Sequence, residues 1–270
     1  MPNSRIWLAS AAILAALGAC TTADAPPADS MVAQPSGPNA LEFAMEAAGG
    51  KAALAKVQEV FFSGDAKVTV DGKTAEQTTA VLVRPFSFYR VTSWAKGAEP
   101  KTAKTTQAEL GKAWDVTRVT WQPMPEAGAN FENEQLALFS TMLLAPLSAE
   151  GVVVTEMPVA NTGTRAFQVQ RPGAKAVEIA LDGSGKLVSA TYSGTDPKTG
   201  AAVTETATFS GEVTSNGVKW PRHIKIARDG SAWYEVEITT FEALPNKTVR
   251  PLAQAMQYDS SAPPSDDDAG

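Results

Sequence analysis

The chain has almost no cysteine or histidine. Its 270 residues contain one of each, Cys20 and His223. That excludes a disulfide framework, a Cys/His zinc site and a Cys–His nucleophile pair, and leaves any Ser–His–Asp chemistry to His223 alone. No metal site and no cofactor are expected. Positive charge is short as well: 23 Lys and Arg stand against 29 Asp and Glu, a net charge of −6. Without a basic footprint, nucleic acid is excluded as a partner. No apolar run reaches the roughly 18 residues that a membrane-crossing helix needs. What remains is 44% hydrophobic and 19% charged, enough to bury the core of one medium domain or two small ones.

The N-terminus reads as an address. Arg5 precedes an apolar run from Ile6 to Leu17, long enough for a signal-peptide core and too short to span a bilayer. The run closes on Leu17-Gly18-Ala19-Cys20. This resembles the bacterial lipobox, in which small residues precede a cysteine that is cut free and acylated. The resemblance implies a signal peptide over 1–19 and lipid attachment (palmitate-type acyl chains) at Cys20, which makes the membrane a partner. With Thr21 in the next position, it implies the outer membrane, facing the periplasm. Residues 20–38, rich in proline and poor in large apolar side chains, read as a disordered tether. Residues 246–270 read as an extension whose end, with Asp266, Asp267 and Asp268, is solvated.

One folded unit is expected over 39–245. Asn39 with Glu42 three residues on makes a capping box. Leu41, Met45 and Ala48 share a helix stripe, Gly49-Gly50 breaks the helix, and a second short helix carries Leu54 and Val57. The period then becomes two. Phe62, Ala66, Val68 and Val70 alternate with Asp65, Lys67, Thr69 and Asp71, a strand with one wet face. Strands are expected at 76–84, 87–94, 101–109, 112–121, 152–157, 165–170, 175–182, 186–193, 202–213, 217–227 and 231–242. Asp71-Gly72, Asp182-Gly183, Asn216-Gly217 and Asp229-Gly230 mark tight turns. A helix interrupts from about Asn130 to Leu147, with Leu136, Phe139, Leu143 and Leu147 on its apolar stripe. The expected class is α+β: a large curved antiparallel sheet of about 11 strands, running as a meander. A helix pair lies before it, and an inserted helix covers its concave face.

Two stretches carry a family resemblance. ALEFAMEAAGGKAALAKVQEVFFSGDAKV (40–68) resembles the helix–Gly-Gly–helix–strand opening of LolA/LolB-like periplasmic proteins. TFSGEVTSNGVKWPRHIKIARDGSAWYEVEITTFEAL (208–244) resembles their last three strands. The resemblance implies a half-barrel closed by helices, with a cavity that holds acyl chains or another hydrophobe. LolB-like members are themselves outer-membrane lipoproteins, which agrees with Cys20.

Catalytic signatures are weak. Ser93-x-x-Lys96 and Lys198-Thr199-Gly200 mimic two of three signatures of serine β-lactamases, but Ser93 falls in a strand where a helix start is needed. His223 and Lys225 fall on the face opposite Trp220, Ile224 and Ile226, and no spacing supplies His223 with a partner. Glu205, Glu235 and Glu237 alternate with apolar residues and read as wet-face carboxylates, so glycosidase chemistry lacks its pair. Gly183-Ser184-Gly185 leads into no helix and holds no phosphate. No catalytic residue is expected and the chain reads as a non-enzyme.

Two functions compete. One is a lipid-anchored carrier that binds a hydrophobic ligand or a lipoprotein, with Val68, Val70, Phe209, Val236 and Ile238 as the sheet wall. Leu136, Phe139 and Leu143 would face that wall from the helix. The other is a structural or protein-docking module of the outer membrane. A carrier needs a continuous apolar hollow, whereas a docking module can fill that space with its own side chains.

Overall fold

The computed structural model describes residues 39–117, 120–159 and 163–246. The expected signal peptide with Cys20, the tether to residue 38 and the extension past 246 lie outside the described residues.

The chain opens with α1 (Ala40–Ala47) and α2 (Lys51–Leu54). The Asn39 side chain accepts from the Glu42 N–H at 2.9 Å, and the Asn39 N–H donates to the Glu42 carboxylate at 3.3 Å. This capping box satisfies backbone donors that the first turn leaves free. Gly49 ends α1 with φ of 117°. A Cβ there would stand 2.0 Å from the Gly217 carbonyl oxygen, so this approach is open to glycine alone.

Six strands follow: β1 (Glu59–Val70), β2 (Lys73–Arg84), β3 (Phe88–Ala95), β4 (Lys104–Glu109), β5 (Lys112–Val116) and β6 (Trp121–Pro123). The helix α3 (Glu126–Met142) interrupts. The remainder is β7 (Val153–Met157), β8 (Arg165–Gln170), β9 (Val177–Leu181), β10 (Leu187–Thr195), β11 (Ala202–Ser210), β12 (Val213–Ser215), β13 (Val218–Trp220), β14 (His223–Arg228) and β15 (Ser231–Leu244). Thirteen strands form one antiparallel sheet in the order β6-β5-β4-β3-β2-β1-β15-β14-β11-β10-β9-β8-β7, and β12 and β13 pair as a separate ribbon.

The architecture is the expected α+β half-barrel, with corrections of detail. Two meanders, not one, make the sheet, and they meet where the first strand pairs with the last. In that seam Phe62 stands opposite Phe241 and Gly64 opposite Ile238, with a bulge between. The bulge shifts the inward phase of β15 from Val236 and Ile238 to Phe241 and Ala243, all four of them buried. The expected strand 112–121 divides where the Thr117 N–H turns back onto the Thr120 carbonyl. The expected 217–227 divides at Pro221, which has no N–H to continue a ladder. Residues 100–102 form a 3-10 turn, and the strand starts after it. The inserted helix stops at Met142 rather than Leu147, because Leu144 takes φ of 60° and Pro146 cannot extend a helix.

The helix α3 joins the two sheet edges in sequence and crosses the concave face, touching β2, β3, β4, β5 and β10. Phe62, Leu138, Leu143, Ile224 and Ile238 are fully buried between helix and sheet. Each such side chain contributes about 1.5–3 kcal/mol. Among the described residues no helix is long and apolar enough to cross a membrane.

Candidate functional site

A row of rings fills the middle of the concave face. Tyr89 stacks on Phe139 at 5.8 Å between centroids, Phe139 meets Phe62 at 5.5 Å, Phe62 meets Trp220 at 6.4 Å, and Trp220 stacks on Phe241 at 5.7 Å. A hollow lies on each side of this row. The first, of about 270 Å³, is walled by Phe131, Phe139, Tyr89, Ile226, Trp233 and Val68, with Glu132 and Gln135 of α3 reaching into it. The second, of about 400 Å³, lies beside α1 and is lined by Ala44, Met142, Phe209 and Trp220. Its rim is ionic: Lys186 and Lys219 share Glu212 at 3.1 and 3.9 Å.

The polar groups under α3 divide into paired and unpaired. Glu205, read from sequence as a wet-face carboxylate, is instead fully buried. It accepts from Tyr192 Oη at 2.6 Å, from Gln135 Nε2 at 3.0 Å and from Arg228 Nε at 3.0 Å. The register places Glu205 opposite Arg228, so the charge is neutralised where it is made, which its burial requires. Arg228 in turn packs over the rings of Trp233 at 3.6 Å and Phe131 at 4.6 Å. Glu134 is anchored by Lys175 at 2.6 Å and Thr195. Glu132 has no such partner. Burial pushes its carboxyl up to about 7; the Thr106 hydroxyl opposes the rise, Asp115 adds to it, and Arg228 opposes it. Burial also drives Tyr234 up to about 12 and Tyr89 well above the usual phenol value, so these phenols stay neutral.

The residues singled out from sequence separate. Val68 and Phe139 line the first hollow, and Phe209 lines the second. Leu136, Leu143, Val236 and Ile238 are buried and border neither hollow, because the ring row and its neighbours fill the space between them. Val70 is 40% exposed and borders neither hollow. Cys20 lies outside the described residues. Sequence reasoning passed over Phe131, Glu132 and Gln135. They fall in register with Leu136 and Phe139 on α3, and two polar residues inside an apolar stripe were the available signal.

His223, Lys225, Glu235 and Glu237 line a recess of about 340 Å³ on the opposite face of the sheet. It is laced by ion pairs, including Lys96–Asp65 at 3.0 Å and Lys225–Glu235 at 3.1 Å. Ser93 lies inside β3 and Lys198 pairs with Asp71 at 3.4 Å, so the two lactamase-like motifs do not form one centre. Among the described residues no three His, Cys, Asp or Glu side chains gather to hold a metal.

No protein-family model matches the sequence, and no curated protein matches it. Solved structures do. A LolA superfamily protein from Nitrosomonas europaea is similar over 76% of this chain and 93% of its own, with a TM-score of 0.50 and 10% identity. A Vibrio parahaemolyticus domain assigned to outer membrane lipoprotein sorting matches over 74% and 90%, with a TM-score of 0.47 and 10% identity. A DUF1329 family protein from Desulfovibrio piger matches over 76% and 91%, with a TM-score of 0.42 and 9% identity. The first of these likenesses establishes the fold: this chain has a LolA-like fold.

Proposed function

We propose that this protein is a lipid-anchored protein of the bacterial envelope that binds a hydrophobic ligand, free acyl chains or those of a lipoprotein, and catalyses no reaction. The observation that carries the reading is the ring-walled hollow of about 270 Å³ under α3, on a fold shared with a LolA superfamily protein. Small-molecule sites are concave and lined by rings and aliphatic side chains with some polar groups to orient the ligand; here rings make much of the wall and Glu132 and Gln135 reach in from α3. Acylation at Cys20 would hold the hollow at the periplasmic surface of the outer membrane, since two or more acyl chains anchor stably where one does not.

A second reading has its own observation. The centre of the concave face is filled by the protein's own side chains, as a structural or docking module of the outer membrane would have it. Native mass spectrometry of the chain from Thr21 onward, together with titration of an uncharged fluorescent apolar probe, separates the two. The carrier reading expects a bound hydrophobe, and it expects loss of probe binding in a folded Phe139→Glu variant, where a buried unpaired carboxylate enters the wall. A wild-type protein that binds no apolar probe leaves the docking module in its place.

A further inference from the structure

Within the first hollow one buried carboxyl has no countercharge. Of the polar side chains deep in its wall, Gln135 spends its amide on Tyr192 at 2.9 Å and Glu205 at 3.0 Å. Asp115 and Lys104 stand exposed at the mouth. Glu132 is 7% exposed. Its neighbours on α3 and across the sheet are all paired, Glu134 with Lys175 and Glu205 with Arg228, while Glu132 itself forms no ion pair. The Thr106 hydroxyl of β4 faces it and favours its charged form, a neutral contact that supplies no countercharge. A buried carboxyl without a countercharge is costly. Here it shares the hollow with the rings of Phe131, Tyr89 and Trp233.

We propose that this hollow takes an apolar molecule bearing an amine, whose ammonium group pairs with Glu132 while its hydrocarbon part lies against Phe131, Phe139 and Tyr89. The proposal rests on the hydrophobe-binding reading and narrows it, since a carboxylate-bearing hydrophobe would be repelled at the same place. The other groups that face the site are consistent with it. From β5, Asp115 adds negative charge at the mouth. Lys104 of β4 is exposed there and screened by water. Tyr89 of β3 and Tyr234 of β15 stay neutral. Arg228, at the end of β14, is held by Glu205 behind the rings of Phe131 and Trp233.

The test compares decylamine, decanol and decanoate, matched in chain length, by calorimetric titration of the chain from Thr21 to Gly270, which keeps every described residue. Near pH 8 decylamine should bind at least about tenfold more tightly than decanol, as expected for a charge-assisted hydrogen bond, and decanoate most weakly. Between about pH 5.5 and 8 the affinity for decylamine should rise as Glu132 ionises, and that for decanol should stay level. Glu132→Gln should bring decylamine and decanol to within about threefold of each other. Should that variant fail to fold, the wild-type pH profile decides. Equal binding of amine and alcohol, a flat amine profile, or a preference that survives Glu132→Gln overturns the proposal and leaves the hydrophobe reading standing. If none of the three probes binds, both fail.

Discussion

Glu132→Gln should stabilise the protein, and by an amount that depends on pH. Glutamine keeps the shape of the side chain and removes its ionisation. The Glu132 carboxyl is raised by burial from the usual 4.5 to about 7. Between those values the folded chain holds the proton and the unfolded chain has released it. Unfolding therefore releases a proton, and stability falls as pH climbs through that window. Below about 4.5 both states are protonated and Glu132 contributes no pH dependence. Above about 7 the cost is complete, at about 3 kcal/mol. The Gln variant escapes it. Its stability should match wild type near pH 4 and exceed it by up to about 3 kcal/mol near pH 8, or about 6–12 °C in Tm for a domain of this size. Urea unfolding of both proteins at a series of pH values reads this directly. A gap that stays constant from pH 4 to pH 8, or a variant less stable than wild type near pH 8, would refute the reasoning.

Other substitutions test other parts of the account. Cys20→Ser should abolish metabolic labelling with palmitate and shift the protein out of the membrane fraction; a variant still firmly held by the outer membrane sinks the anchor. Glu205→Ala leaves the half-buried Arg228 guanidinium, and the Tyr192 and Gln135 side chains, without their buried partner and should cost about 3–5 kcal/mol in denaturant unfolding. A loss below about 1 kcal/mol would place that pair among surface ion pairs instead.

The elements with a strong local period were legible. The capping box at Asn39, the alternation in β1 and the turn dipeptides come from short-range physics, and the structure has helix, strand and turns there. The seam between β1 and β15 was not, because nothing near Phe62 indicates that its partner is Phe241. Glu205 was misread for a different reason. It shares the phase of Ala207 and Phe209 and was therefore inward by register, and its carboxylate chemistry argued otherwise. Arg228, which reconciles the two, lies on another strand. The site was legible in part: Phe139 and Val68 came from apolar phase alone. Whether an apolar wall borders a hollow or solid packing depends on side-chain volumes across the sheet, which periodicity does not carry. Leu136, Leu143, Val236 and Ile238 fell on the packed side of that division.

The seam also sets the order in which this molecule can be built. Each meander is made of neighbours in the chain and can pair strand by strand as it emerges. The central ladder joins residue 59 to residue 244, so the halves stay unjoined until nearly the whole described chain is present. Pairing over such a separation carries the full entropy of loop closure before any contact repays it, which slows folding. Export of the chain in an extended state, as the proposed envelope role requires, would gain from that delay, because the contact that locks its sheet is the last one available to it.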